Sequence, residues 1–125
     1  MNDLIKDLLV KGNGCHVNSV FYGCIIYADD VILLSPSLLG LQAMLDTCTQ
    51  YIVSHNIVFN RKKSVYTIIG KLHNTQPAPI YLDGTILEYV TRFKYLGITF
   101  SSGRTLSVDT ACIKRKFYSA CNSVL

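Results

Sequence analysis

Half of the 125 residues are hydrophobic and only 16% are charged, against about a quarter in an ordinary soluble domain; the mean hydropathy is +0.30. A chain of this length forms one domain or a piece of one, and its apolar excess reads as a core cut from a larger protein, poorly soluble by itself. No apolar run reaches the roughly 18–20 residues of a membrane span, because Asp29 stops the longest, and the N-terminus lacks the basic, apolar and small-residue order of a secretory leader.

Twelve basic residues against eight acids give a net charge of +4, a mild excess compatible with nucleic acid. The basic residues gather at Arg61-Lys62-Lys63, at Arg92 and Lys94, and at Lys114-Arg115-Lys116. Each group alone is an ordinary solvated surface; three of them along so apolar a chain point to a phosphate-facing side. The five cysteines are odd in number and form no C-x-x-C pair. They read as small reduced hydrophobes of an intracellular protein, nuclear or cytoplasmic, rather than a disulfide or zinc set.

In chain order, Leu4, Ile5, Leu8 and Leu9 give a short amphipathic helix over 2–10, capped by Asn2 and ended by Gly12-Asn13-Gly14. A hairpin follows over 17–35. Its apolar runs, Val20–Ile26 and Val31–Leu34, enclose Tyr27-Ala28-Asp29-Asp30. These flanks do not alternate apolar with polar, so both faces should be covered, as in central strands. The two acids at the tip are stiffly held oxygen donors that suit a hard divalent cation. Aspartate also favours turns, so the pair taken alone could equally close a hairpin.

Ser35 as cap and Pro36 at the first helical position open a longer helix, with Leu38, Leu41, Leu45, Cys48 and Ile52 on its apolar face and Gln42, Asp46 and Gln50 opposite. It should stop near His55-Asn56. A strand is predicted over 65–69, then a hairpin turning at Asp83-Gly84 between 80–82 and 85–87. A further strand runs over 93–100, Ser101-Ser102-Gly103 breaks the chain, and a last amphipathic helix starts near Val108 with Ile113, Phe117, Ala120 and Val124 on one face. The sum is an α+β chain: an antiparallel sheet with an acid-tipped hairpin, packed by helices and followed by a C-terminal helix.

Three motifs stand in order: Tyr-Ala-Asp-Asp at 27–30, Asn60-x-x-Lys63-Ser64 after the long helix, and Phe93-Lys94-Tyr95-Leu96-Gly97. With Gly14-Cys15 before the first and Asn56-x-x-Phe59-Asn60 before the lysine, the chain resembles the reverse transcriptase of non-LTR, LINE-type retrotransposons. The resemblance implies a partial polymerase palm over 1–100 and the start of the thumb over 101–125.

It further implies RNA-directed DNA polymerisation by two-metal nucleotidyl transfer, with RNA template, DNA primer and dNTP as partners and Mg²⁺ as cofactor of the complete site. Asp29 would be a direct metal ligand and Asp30 a second, less direct acid, the two forming the catalytic and metal-binding pair. Tyr27 and Ala28 would lie against the primer end. Lys63 would act near the departing pyrophosphate, where negative charge grows. Tyr95, Leu96 and Gly97 would form the primer grip, and Lys114, Arg115 and Lys116 would contact the nucleic-acid backbone. Read without the family, Lys63 is plain surface, Tyr95 core packing and Gly97 a bulge.

The family's first catalytic aspartate lies on a strand well upstream of Tyr-x-Asp-Asp, but the 26 residues before Tyr27 read as a helix and a glycine turn. Asp3 and Asp7 fall on that helix and do not take its role. The expectation is therefore a fragment lacking the N-terminal palm and fingers, inactive alone. The alternatives are a non-enzymatic nucleic-acid-binding module and a degenerate retrotransposon remnant.

Overall fold

Helix α1 (Asn2–Lys11) buries Leu4 and Leu8 on one side, and Gly12 closes it by donating its N–H to the carbonyls of Leu8 and Leu9. In the computed structural model, which describes residues 2–124, the chain is mixed α+β, with three helices and small, mostly antiparallel sheets. The residues gather into two compact units. One holds the chain up to Ser64 together with Ala78–Leu87; the other holds Val65–Pro77 and the chain from Glu88 on.

In the first unit the hairpin expected over 17–35 is two hairpins: β1 (His16–Val17) with β2 (Val20–Phe21), then β3 (Cys24–Tyr27) with β4 (Asp30–Leu33). The break falls at Tyr22-Gly23, for a steric reason. A Cβ on Gly14 would lie 2.7 Å from the Gly23 Cα and 2.5 Å from the Phe21 ring. Two backbones touch there, which only glycines permit. Hydrogen bonds from Tyr22 N to Cys15 O (2.8 Å), Cys15 N to Leu34 O (2.9 Å) and Leu34 N to Gly23 O (2.8 Å) join the hairpins around that contact. The expectation that β3 and β4 are covered on both faces does not hold. Among the described residues they pair only with each other, and Ile25 and Tyr27 are 46% and 59% exposed.

Helix α2 (Leu38–His55) starts two residues later than the sequence suggests. Ser37, not Ser35, is the cap: its backbone is extended and its Oγ accepts from Gly40 N at 3.0 Å. The Ser35 hydroxyl instead lies 3.0 Å from Asn13 O and 2.9 Å from Ser37 O. Asn56, in the left-handed conformation, ends the helix as expected.

The buried face of α2 is Gly40, Met44, Leu45, Thr47, Cys48 and Tyr51, while Leu38, Leu41 and Ile52 are only half-buried. Leu45 and Cys48 are buried as expected, and the face is turned from the expected stripe towards Met44, Thr47 and Tyr51. Thr47 can sit inside because its hydroxyl donates to Ala43 O at 3.0 Å, leaving no unpaired polar group. Gln42, expected on the solvent side, is half-buried. Its amide donates to Tyr81 O (3.0 Å) and accepts from Tyr81 N (2.8 Å), so one side chain does for β6 what a neighbouring strand would.

The β6 (Tyr81–Leu82) and β7 (Thr85–Ile86) strands form the expected hairpin, with Asp83 and Gly84 at φ +48° and +72°. Positive φ at both loop residues matches the right-handed twist of the strands. Ile80, Leu82 and Leu87 join Leu4, Leu8, Met44, Leu45, Cys48 and Tyr51 as the core of this unit.

In the second unit the strand expected over 65–69 shortens to β5 (Val65–Tyr66), parallel to β8 (Glu88–Tyr89), with the Tyr66 and Tyr89 rings 5.4 Å apart. The strand expected over 93–100 is a hairpin of β9 (Arg92–Tyr95) and β10 (Ile98–Ser101), continued antiparallel by β11 (Ser107–Asp109). Helix α3 (Ala111–Val124) begins three residues beyond the expected Val108. Asp109 holds that start, since its Oδ1 accepts from Ala111 N at 3.0 Å while its Oδ2 pairs with Arg92 at 3.1 Å. No described side chain of α3 is buried.

Candidate functional site

The acid-bearing turn is built by its strands. Cys24–Tyr27 and Asp30–Leu33 pair in register, with Tyr27 opposite Asp30, so the loop proper is Ala28-Asp29. Only the first of its two residues, Ala28, has positive φ (+50°), a position that hairpin loops of this kind give to glycine. An L-residue there costs about 1–2 kcal/mol, so the strand pairing holds Ala28 against its own preference. Asp29 projects from the loop and Asp30 opens β4. Both are exposed, and neither makes an ion pair among the described residues. No group of three His, Cys, Asp or Glu side chains stands together as a metal cage among the described residues.

Lys63 belongs to the same compact unit, on a turn that Asn60 organises. The Asn60 carbonyl accepts from Lys63 N (3.1 Å), Ser64 N (3.1 Å) and Ser64 Oγ (2.9 Å), and its side-chain oxygen accepts from Lys63 N at 3.3 Å. The Lys63 side chain is exposed, and no hydrogen bond or ion pair among the described residues joins it to Asp29 or Asp30. Its neighbour Arg61 is not free. Its guanidinium meets the Asp83 carboxylate at 2.9 Å and Thr85 Oγ1 at 3.4 Å. An open depression of about 490 Å³ beside this turn is lined by Val58, Phe59, Asn60, Arg61, Lys62 and Thr85.

Tyr95, Leu96 and Gly97 lie in the other unit, and the expectation of a strand through them is corrected. Tyr95 ends β9 opposite Ile98, and Leu96-Gly97 is the hairpin loop, at φ +50° and +78°. The glycine makes the reversal possible, and Leu96 takes the strained position with its side chain 55% exposed. Phe93 and Phe100 stack 5.4 Å apart across the same hairpin.

Lys114, Arg115 and Lys116 are exposed on α3 without ion pairs among the described residues. Three consecutive helical positions spread over roughly 200° of the circumference, so they do not form a single facing patch. Two arginines of the basic groups, Arg61 and Arg92, are taken up by Asp83 and Asp109. The sequence gives no sign of these pairings, because the partners stand more than a dozen residues away on other elements.

Burial pushes the Cys48 thiol up to about 12, helped by nearby Cys24, and burial also raises Cys24. All five cysteines are free, and these two are packing groups rather than nucleophiles. Among the described residues no helix is long and apolar enough to cross a membrane. No family model matches the chain, and neither a curated protein nor a solved structure shows similarity to it.

Proposed function

We propose that the chain is the second half of a reverse transcriptase palm of the non-LTR, LINE-type class with the start of its thumb, and that it does not polymerise as this chain alone. The observation that carries the reading is the tip of the β3–β4 hairpin, where two adjacent exposed carboxylates follow a strained alanine at the end of apolar strands. Backbone strain beside chemically competent side chains is a common mark of functional turns. The mixed α+β architecture with small antiparallel sheets is compatible with a partial palm.

The donor set fits Mg²⁺, which takes one or two carboxylates and completes its shell with water and substrate phosphate. Bound there, Mg²⁺ supplies charge stabilisation for attack of a primer hydroxyl on the α-phosphate of a dNTP. Asp29 is the direct ligand and Asp30 the second acid. Tyr27 and Ala28 border the primer end on the RNA template, and Leu96-Gly97 with Tyr95 grips the primer. Lys63 holds positive charge, or a proton, near the leaving pyrophosphate. Two carboxylates without a third bind the ion weakly. Asp3 and Asp7 lie on α1 and do not supply one, which is the ground for inactivity.

Mn²⁺ titration of the ¹⁵N-labelled chain tests the site. Paramagnetic broadening is expected around Ala28–Val31 and is lost in Asp29→Asn and Asp30→Asn; broadening elsewhere, or none at millimolar Mn²⁺, refutes it. On a primed RNA template with Mg²⁺ and dNTPs the chain is expected to add nothing. Extension abolished by Asp29→Asn would overturn the inactivity.

A second reading, a non-enzymatic nucleic-acid-binding module, is favoured by the exposed lysines and arginine at 62–63, 94 and 114–116, which make no ion pair among the described residues. It separates from the first by hybrid binding that persists without any response of Asp29 and Asp30 to Mn²⁺.

A further inference from the structure

We propose that Asp83, acting through Arg61, is a positioning residue for Lys63. The fastening rests on geometry, and what is fastened rests on the role given to Lys63 above. The β6–β7 hairpin is a fixed post. Its strand β6 is tied to α2 by the two hydrogen bonds between the Gln42 amide and the Tyr81 backbone, and its turn by Asp83 N donating to Thr49 Oγ1 at 3.1 Å. Ile80, Leu82 and Leu87 root it in the core. From this post the Asp83 carboxylate takes the Arg61 guanidinium at 2.9 Å, and Thr85 Oγ1 lies 3.4 Å from the same group.

The turn at the other end of that tie makes its own backbone bonds within 60–64. Val58, just before it, is 82% exposed. Arg61 therefore gives a locally closed turn its polar side-chain anchor to the hairpin. Pairing Arg61 with Asp83 also neutralises one of three adjacent cations, leaving Lys62, which lines the depression with Asn60 and Phe59, and its neighbour Lys63 exposed. The pair is partly solvated, so it biases the fastened turn over the released one by no more than about fivefold.

The test uses the ¹⁵N-labelled full chain. Heteronuclear NOE values for the amides of 61–64 are expected to fall in Asp83→Asn and in Arg61→Gln and to recover in Asp83→Glu, which restores the charge. In parallel, inorganic pyrophosphate is titrated while the Lys63 amide is followed. Its apparent affinity is expected to weaken about two- to fivefold in the double variant Arg61→Gln/Asp83→Asn, which breaks the tie without changing the net charge beside Lys63, and to keep its wild-type value in Asp83→Glu. Unchanged NOE values in both charge-removing variants overturn the fastening. NOE values that fall while the Lys63 response keeps its wild-type affinity overturn the positioning role. Absence of any Lys63 response in the wild type instead refutes the part assigned to Lys63, and the NOE values still decide whether Asp83 holds the turn.

Discussion

Single residues carry the strain and the unusual protonation of this protein. Leu96 occupies a left-handed position with its side chain largely in solvent, so it pays a backbone cost without much burial in return. Asparagine tolerates that conformation far better. Leu96→Asn is expected to raise stability by about 0.5–1 kcal/mol, seen as a higher urea midpoint with an unchanged slope. Cys48 is the second case. Its thiol ordinarily titrates at 9.0 and is raised to about 12 by burial, with Cys24 adding to the shift. The folded state therefore keeps a proton that the unfolded chain releases. The contribution is fully present below pH 9 and is lost as pH rises towards 12. Melting temperatures across that window should decline less steeply with pH for Cys48→Ala than for the parent, which isolates the share of this thiol.

At the scale of elements, helix α2 organises its unit, since α1 and the β6–β7 hairpin both pack on it. Its N-terminus depends on Ser37, whose Oγ takes the Gly40 amide. Ser37→Ala is expected to cost about 1 kcal/mol, whereas Pro36→Ala, outside the helix, should cost less; urea unfolding followed by circular dichroism compares them. Much of this architecture was legible in the sequence. The leucine spacing of α1, the long run of α2 ending at Asn56, and the Asp83-Gly84 hairpin all use local signals, periodicity and turn chemistry. What escaped depended on contacts between distant segments. The Gly14–Gly23 approach split one expected hairpin into two, and Asp109 bound both Arg92 and the start of α3. Leu96-Gly97 was read through as strand because leucine is a poor turn residue, and only cross-strand pairing holds it there. The turn of the acid-tipped hairpin falls within a residue of its expected place, with Asp30 opening β4 instead of sharing the loop, because the apolar runs on either side pair Tyr27 with Asp30.

For the whole molecule, charge and apolar surface act together. Pairing Arg61 and Arg92 with aspartates leaves the formal charge at +4 but withdraws two arginines from a phosphate partner. Binding to an RNA–DNA hybrid should weaken with salt. Replacing Lys114, Arg115 and Lys116 by glutamine should lower the slope of log K against log salt by about 1–2, since consecutive helix positions cannot all face one phosphate backbone. Arg92→Gln should leave the slope nearly unchanged. A filter-binding series between low and moderate salt reads both. The two compact units have a further consequence. The chain passes from one to the other at Ser64, returns at Ala78 and leaves again after Leu87. The first unit cannot then be excised by a single cut. A product ending at residue 64 keeps α2 but lacks the strand that Gln42 pairs with and the carboxylate that Arg61 grips, so a nick there would unmake the first unit while residues 65–125 keep every segment of the second.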